Sequence, residues 1–216
     1  MLVELKNESA VFAGQAALRG IDLRVQRGER LAVMGRSGAG KSTLLNLLYS
    51  RLSDQAALVP QAAALVRTLS VFHNVYMGRL DQHSACRNLR MLAWPDGAEV
   101  AGVRKTLDAV GLADKLFARA GTLSGGQQQR ASIARALYNG RPVLIGDEPV
   151  SALDRQQAGA VLRRMADTHE TMILALHDIP LALDHADRVV LLDAGRIVLD
   201  EPTGSLRETD LTRFYA

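Results

Sequence analysis

Gly35-Arg36-Ser37-Gly38-Ala39-Gly40-Lys41-Ser42-Thr43 fills every fixed position of the pattern G-x-x-x-x-G-K-[ST], in which a glycine-rich turn cradles phosphate groups. The run before it, Arg30-Leu31-Ala32-Val33-Met34, is short and apolar like a buried strand. Leu44-Leu45-Asn46-Leu47-Leu48 behind it reads as a helix packed on a sheet. Strand, turn and helix in that order are the context the pattern needs. Glycines at 35, 38 and 40 let successive N–H groups turn inward, and the helix N-terminus adds partial positive charge. Lys41 is then placed to reach the β- and γ-phosphates of a nucleotide, and Ser42 to hold Mg²⁺. A glycine-rich turn opening an ordinary helix is the alternative, and it leaves the complete match unexplained.

The chain has 216 residues, enough for one substantial core with a small lobe attached. Its 48% hydrophobic and 23% charged content is that of a globular protein, and aromatic content is low at 4%. No apolar run approaches the ~18 residues that span a bilayer, and Met1 to Lys6 alternates like an edge strand instead of forming a signal-peptide core. Any membrane role must come through a partner. The one cysteine, Cys86, excludes an intrachain disulfide and fits a reducing compartment, so the cytoplasm is the default. A net charge of +3 is mildly basic, without blocks of Lys and Arg interleaved with aromatics, and no nucleic-acid partner is expected.

Residues 2–6 and 21–25 alternate apolar and polar as half-buried strands do, with Gly14 and Gly28 marking turns, and suggest an antiparallel entry lobe. Phe12 in that lobe is placed either to stack on an adenine or to fill the lobe's own core. After Leu58-Val59-Pro60-Gln61 the pattern turns helical, with Val100, Val103, Leu107 and Val110 at spacings of three and four. Leu65, Val71, Phe72, Val75, Tyr76 and Met77 crowd behind Gln61, some to build this insert's core and others to offer a socket to a partner. Next, Ser124 and Gln127 stand in capping-box register ahead of a helix closed by Asn139-Gly140. Capping does not explain Gly125 and Gly126, which cost helix stability unless a ligand must approach bare backbone. This helix terminus is a second phosphate site.

Pro142 to Ile145 then runs into Gly146-Asp147-Glu148, an apolar strand ending in two carboxylates. Asp147 suits Mg²⁺, and Glu148 can polarise a water. Ala158, Val161, Leu162 and Met165 form a helical stripe, and Thr171 to Leu176 is another apolar strand. Strand alternating with helix argues a parallel sheet, and His177 falls just past a strand end, where such sheets bind ligands. Residues 188–192 and 196–199, joined through Asp193-Ala194-Gly195, read as a hairpin before a short polar helix.

In this order the motifs resemble those of the nucleotide-binding subunit of ATP-binding cassette (ABC) transporters, over essentially the whole chain. The resemblance implies an α/β fold: a P-loop NTPase cassette with a mostly parallel core sheet, a small antiparallel β lobe and a helical signature lobe. It implies one ABC ATPase domain over 1–216, with a nucleotide-binding core at 1–61 and 122–216 and a helical subdomain at 62–121. Gly35 to Thr43 matches Walker A and Gln61 the Q-loop, with a place near the Mg²⁺. Leu123 to Gln127 matches the signature, Val143 to Asp147 Walker B, Glu148 the catalytic carboxylate, Ser151 to Asp154 the D-loop and His177 the switch histidine. Phe12 matches the aromatic that stacks on adenine. Lys41, Gln61, Glu148 and His177 are thus the expected catalytic group. Gly35, Arg36, Ser37, Gly38, Ala39, Gly40, Lys41, Ser42 and Thr43 are expected on ATP, with Ser124, Gly125, Gly126 and Gln127 reaching it from a second copy.

Outside the shared motifs, Leu65 to Val71, Asn74-Val75, Gly78-Arg79-Leu80, Val110 to Lys115 and Thr209 to Tyr215 look like phosphonate-import ATPases. This implies a peripheral subunit on the cytoplasmic membrane face, energising uptake through an integral-membrane permease fed by an extracytoplasmic solute-binding protein. The other readings are a non-transport ABC ATPase, such as a phosphonate-degradation accessory, and the ATPase of an exporter or amino-acid importer. Two departures stand out. Only 19 residues separate Lys41 from Gln61, so the entry lobe should be reduced, and Gly146 occupies a Walker B position usually more bulky.

Overall fold

The computed structural model describes residues 1–12 and 15–215, with Phe12 and Gln15 described in backbone only. Its centre is a six-stranded sheet in the order β4-β5-β6-β3-β7-β8, from β3 (Arg30–Met34), β4 (Ala56–Val59), β5 (Val143–Asp147), β6 (Thr171–Ala175), β7 (Arg188–Asp193) and β8 (Arg196–Pro202). Every pairing is parallel except β7 with β8. β3 therefore lies between β6 and β7, and the turns that follow β3, β5 and β6 leave from the same edge of the sheet, where open parallel sheets hold ligands.

Because side chains alternate across a strand, each strand feeds two cores. Leu31 and Val33 of β3 join Ile145, Ile173 and Val190 in a cluster with Leu44, Leu45 and Leu48 of α1 (Lys41–Leu52). Ala32 and Met34 face the other way, with Leu144, Met172, Leu174 and Leu191. That second cluster takes in α5 (Gly125–Asn139), α6 (Arg155–Thr168) and α7 (Ile179–His185). All of these residues are essentially inaccessible to solvent except Leu174, at 4%.

A separate two-stranded antiparallel sheet, β1 (Val3–Phe12) with β2 (Gln15–Val25), covers the α1 side. These strands run well past the stretches expected from sequence. Register shifts between Leu5 and Glu8, and again between Glu8 and Ala10, break the period-two pattern that marks a strand. The lobe is as small as the short Lys41–Gln61 interval suggests. Gly28 makes its expected turn at φ 78°, whereas Gly14 lies outside the described residues.

Between β4 and α5 the regular elements are all helical, chiefly α2 (Val71–Tyr76), α3 (Ala85–Ala93) and α4 (Gly97–Asp108). Here one expectation is corrected. Val71, Phe72 and Val75 are fully buried and Tyr76 is 3% exposed, packed with Met91, Val103 and Leu107 of α3 and α4. These four form the core of the helical lobe and cannot serve as a socket, while Leu65 and Met77 stay half-buried. Gly146 is explained by its neighbours. A Cβ there would sit 2.9 Å from Leu174 Cδ2 and 3.1 Å from Pro149 Cγ, so the volume a larger residue would fill is already taken. The last helix, α8 (Glu208–Thr212), buries Leu211 and lays Phe214 and Tyr215 onto the same core.

Candidate active site

The turn after β3 is gripped by three distant segments. Gly35 adopts φ 140°, and a Cβ on it would collide with the Leu192 carbonyl at the end of β7. A Cβ on Gly40, at φ 104°, would meet the Ala17 carbonyl of β2 at 2.5 Å. Both positions therefore demand glycine for conformation and for space. The Gly195 N–H in the β7–β8 turn donates to the Ala39 carbonyl at 3.1 Å, and the Gly195 carbonyl accepts from Arg19 N–H at 2.8 Å.

Helix α1 starts at Gly40 without any side-chain cap, so its first N–H groups remain for a ligand. Lys41, in its first turn, is 6% exposed, and its ammonium donates to the carbonyls of Gly35 at 2.8 Å and Arg36 at 3.1 Å. Burial pulls its pKa below the usual lysine value, opposed by the nearby carboxylates of Glu148 and Asp147. An ammonium has three donors, so one remains for an incoming anion.

Ser37, Gly38, Gly40, Lys41, Ser42, Thr43, Gln61 and Glu148, with Ala16 and Ala17 of β2, line a single cleft of about 310 Å³. Four segments spread over more than a hundred residues of sequence thus meet at one place. Asp147 ends β5 with Oδ1 buried and lacking a hydrogen-bond partner among the described residues. A buried carboxylate oxygen left unpaired is costly unless a cation completes it. Glu148 stands in the left-handed region at φ 50°, a strained conformation of the kind functional sites hold. It is braced on both sides. Its N–H donates to Ala175 O at 3.2 Å, and its carbonyl accepts from the Ser151 hydroxyl at 3.1 Å. Its Oε1 pairs with His177 Nε2, and the two share the wall of a neighbouring cavity of about 200 Å³.

The Ser124 motif is built as expected and sits elsewhere. The Ser124 hydroxyl accepts from Gln127 N–H at 3.3 Å while Gln127 Oε1 accepts from Ser124 N–H at 3.0 Å, the reciprocal capping box. Ser124 and Gly125 are exposed, open space surrounds the Cβ position of Gly125, and none of residues 124–127 lines the Lys41 cleft. The helix is nonetheless tied to the carboxylate loop of its own chain: Gln129 donates to Pro149 O at 3.2 Å. The Phe12 side chain lies outside the described residues.

Two further contacts come from residues to which no motif assigned a role in the site. The Tyr215 hydroxyl accepts from the Gly35 N–H at 3.0 Å across 180 residues, so this N–H, expected to turn toward phosphate, is engaged by Tyr215 instead. Arg135 of α5 reaches back to the chain after Gln61, donating to Ala64 O at 2.9 Å and Ala63 O at 3.2 Å. The first contact depends on which segment packs against Gly35, and the second on which helix passes behind Gln61.

A glycine-lined cleft at the N-terminus of α1, on a parallel sheet, with a braced glutamate and an aspartate whose Oδ1 has no partner among the described residues, defines a P-loop nucleotide-binding cassette. The family model for the ABC transporter matches residues 18–151. The phosphonates import ATP-binding protein PhnC 1 of Pseudomonas syringae pv. tomato is 40% identical, with 94% of this chain and 87% of the relative aligned. A PhnC protein of Pseudomonas entomophila is 38% identical over 97% and 90%. The chain belongs to the ABC transporter family and is an ATP-hydrolysing, nucleotide-binding member of it. The fold agrees: a dimeric bacterial ABC transporter cassette superposes with TM-score 0.77 at 24% identity, covering 93% of this chain and 98% of that one. A nucleotide-free ABC cassette gives 0.77 at 20% identity, covering 99% and 98%.

Proposed function

We propose that this chain powers the import of phosphonate or a related phosphorus oxyanion. In this reading two copies pair beneath a separate membrane permease at the cytoplasmic face, with an extracytoplasmic solute-binding protein delivering the cargo. No helix among the described residues is long and apolar enough to cross a membrane, and the relatives' names as import ATP-binding proteins support a separate permease as the path. The cargo rests on the relatives, whose names specify phosphonate import and whose identity extends over nearly the whole chain.

The hydrolytic reading rests on the convergence of Lys41, Ser42, Gln61 and Glu148 on one cleft. The bare N–H groups of α1 and the ammonium of Lys41 would hold the β- and γ-phosphates. Glu148 would take the proton of a water as its oxygen bonds to the γ-phosphorus and the bond to the bridging oxygen breaks, releasing ADP and phosphate. His177, paired with Glu148, would keep that carboxylate aimed. Asp147, with its unpaired Oδ1, Ser42 and Gln61 fit a Mg²⁺ ion, which when bound neutralises phosphate charge. Ser124 to Gln127 lie outside the cleft of their own chain. They would reach a nucleotide bound on a second copy, in a closed two-fold pair with Phe12 beside the adenine.

Glu148→Gln tests the chemistry. ATP binding should persist while turnover falls by roughly 10²–10⁴, the usual worth of a positioned base. The trapped ATP should hold the protein as a dimer in light scattering. Unchanged turnover would remove Glu148 from its role. For the cargo, ATPase activity of the subunit reconstituted with its co-purified permease should rise with binding protein loaded with phosphonate and not with an amino acid.

A further inference from the structure

We propose that Tyr215 is a positioning residue for the P-loop: its hydroxyl fixes the Gly35 peptide and, through it, the carbonyls that seat the Lys41 ammonium. The proposal rests on the reading of Gly35 to Thr43 as the cradle for the ATP phosphates.

Tyr215 meets the first turn of the loop twice. Its hydroxyl accepts from Gly35 N–H at 3.0 Å, and its carbonyl accepts from the Arg36 guanidinium at 3.2 Å. On their other side the same two residues present the carbonyls that hold Lys41, at 2.8 and 3.1 Å. A chain of contacts therefore runs from Tyr215 through the Gly35 backbone, with a second hold on the Arg36 side chain, to the side chain that must greet phosphate.

Gly35 is the pivot in that chain. At φ 140° it has none of the steric restraint a Cβ would impose, and rotation about its backbone would swing its carbonyl away from Lys41. The tyrosine hydroxyl supplies the missing restraint from outside the loop. It is well founded, because Leu211 is fully buried and Phe214 and Tyr215 pack on the same apolar cluster. The turn is closed by Phe214 N–H to Leu211 O at 3.0 Å and Tyr215 N–H to Thr212 O at 2.9 Å. A phenol is also the right chemistry. It satisfies a backbone donor without adding a negative charge that would compete with phosphate for Lys41, and burial raises its pKa, which keeps it neutral. With two of its three donors engaged, the ammonium keeps one for the ligand, and a loop held in this state has less freedom to lose on binding.

Tyr215→Phe keeps the ring and removes only the hydroxyl. Affinity for a fluorescent trinitrophenyl-ATP should fall about five-fold, the ratio one neutral hydrogen bond is worth. The KM for ATP should rise by a similar factor, with a smaller change in kcat. In a double-mutant cycle, Tyr215→Phe should have no further effect once Lys41 is replaced by Ala, because the two act in series. Amide exchange in the nucleotide-free protein gives a second reading: the residue 35 and 36 amides should exchange faster in Tyr215→Phe, with the rest of α1 unchanged. Wild-type affinity in Tyr215→Phe would overturn the proposal, as would the same fold-loss in the Lys41→Ala background or unaltered exchange at 35 and 36. If Lys41→Ala itself binds as tightly as wild type, the reading of the phosphate cradle fails first and takes the proposal with it.

Discussion

Replacing Arg135 by Met should damage catalysis far more than stability. Arg135 is a half-buried cation on α5 whose charge faces backbone carbonyls, Ala64 O at 2.9 Å and Ala63 O at 3.2 Å, and the Ser132 hydroxyl at 3.4 Å. Burial lowers its pKa, the mark of a guanidinium giving up water without full compensation. Two charge-assisted bonds are worth ~1.5–3 kcal/mol each, or roughly 3–6 together. Against this, methionine removes the desolvation cost of the charge, and the Ala64 carbonyl lies at an exposed residue where water can replace the donor. The net loss should be about 1–2 kcal/mol, a fall in Tm of roughly 2–8 °C for a chain this long.

The kinetic consequence is larger, because of what the bonds restrain. Ala64 sits at φ 46°, a left-handed conformation that costs a non-glycine residue about 1–2 kcal/mol. Without Arg135 it can relax, carrying the chain after Gln61 with it. A displacement near 1 Å at a catalytic group costs about 10²-fold, so kcat should fall roughly 10- to 100-fold. ATP affinity should stay within about three-fold, since Arg135 does not line the phosphate cleft. Arg135→Lys should be intermediate, a point charge being unable to fork between two carbonyls. A coupled ATPase assay beside calorimetric ATP binding measures both. A folded Arg135→Met enzyme with wild-type kcat would refute the argument.

Two further outcomes are expected. Gly146→Val should cost about 1–3 kcal/mol by overpacking against Leu174 and Pro149, and adding Leu174→Ala should recover much of the lost Tm; a neutral single mutant would mean that the space is not filled. His169 is 3% exposed, donates Nδ1–H to Met165 O at 3.1 Å, and is held by burial below its usual 6.5. Between that folded value and 6.5 the unfolded chain binds the extra proton, so stability is lost as pH falls through this window. The drop in Tm from pH 7.5 to 5.5 should be smaller in His169→Gln, and an equal drop would assign the acid sensitivity to other groups.

The parts of this molecule legible in its sequence are those where one local stretch must meet one physical demand. The glycine-rich pattern over 35–43 announces a phosphate cradle, helix capping dictates Ser124 with Gln127, and burial on both faces makes β5 and β6 read as continuous apolar runs. Where the demand is set by a distant segment, the sequence is mute. Nothing near Phe72 says that α3 and α4 will cover it, so an apolar cluster behind Gln61 reads equally as core or socket. Tyr215, in the turn after α8, and Arg135 of α5 are ordinary residues until the fold brings Gly35 and Ala64 against them. The bulges of β1 hide strand residues by breaking the alternation that would reveal them.

The position of β3 in the sheet has a consequence for synthesis. This strand, complete by residue 34, is bordered by β6 and β7, which end at residues 175 and 193. On the ribosome its two edges must wait for the last quarter of the chain, and the Gly195 turn that grips Ala39 comes later still. Long-range pairing of this kind is slow, and an apolar strand with both edges open is a template for aggregation. The nascent chain thus carries its nucleotide motif for most of translation without the walls that make it a site, and a chaperone that shields residues 30–34 should improve yield more than added nucleotide does.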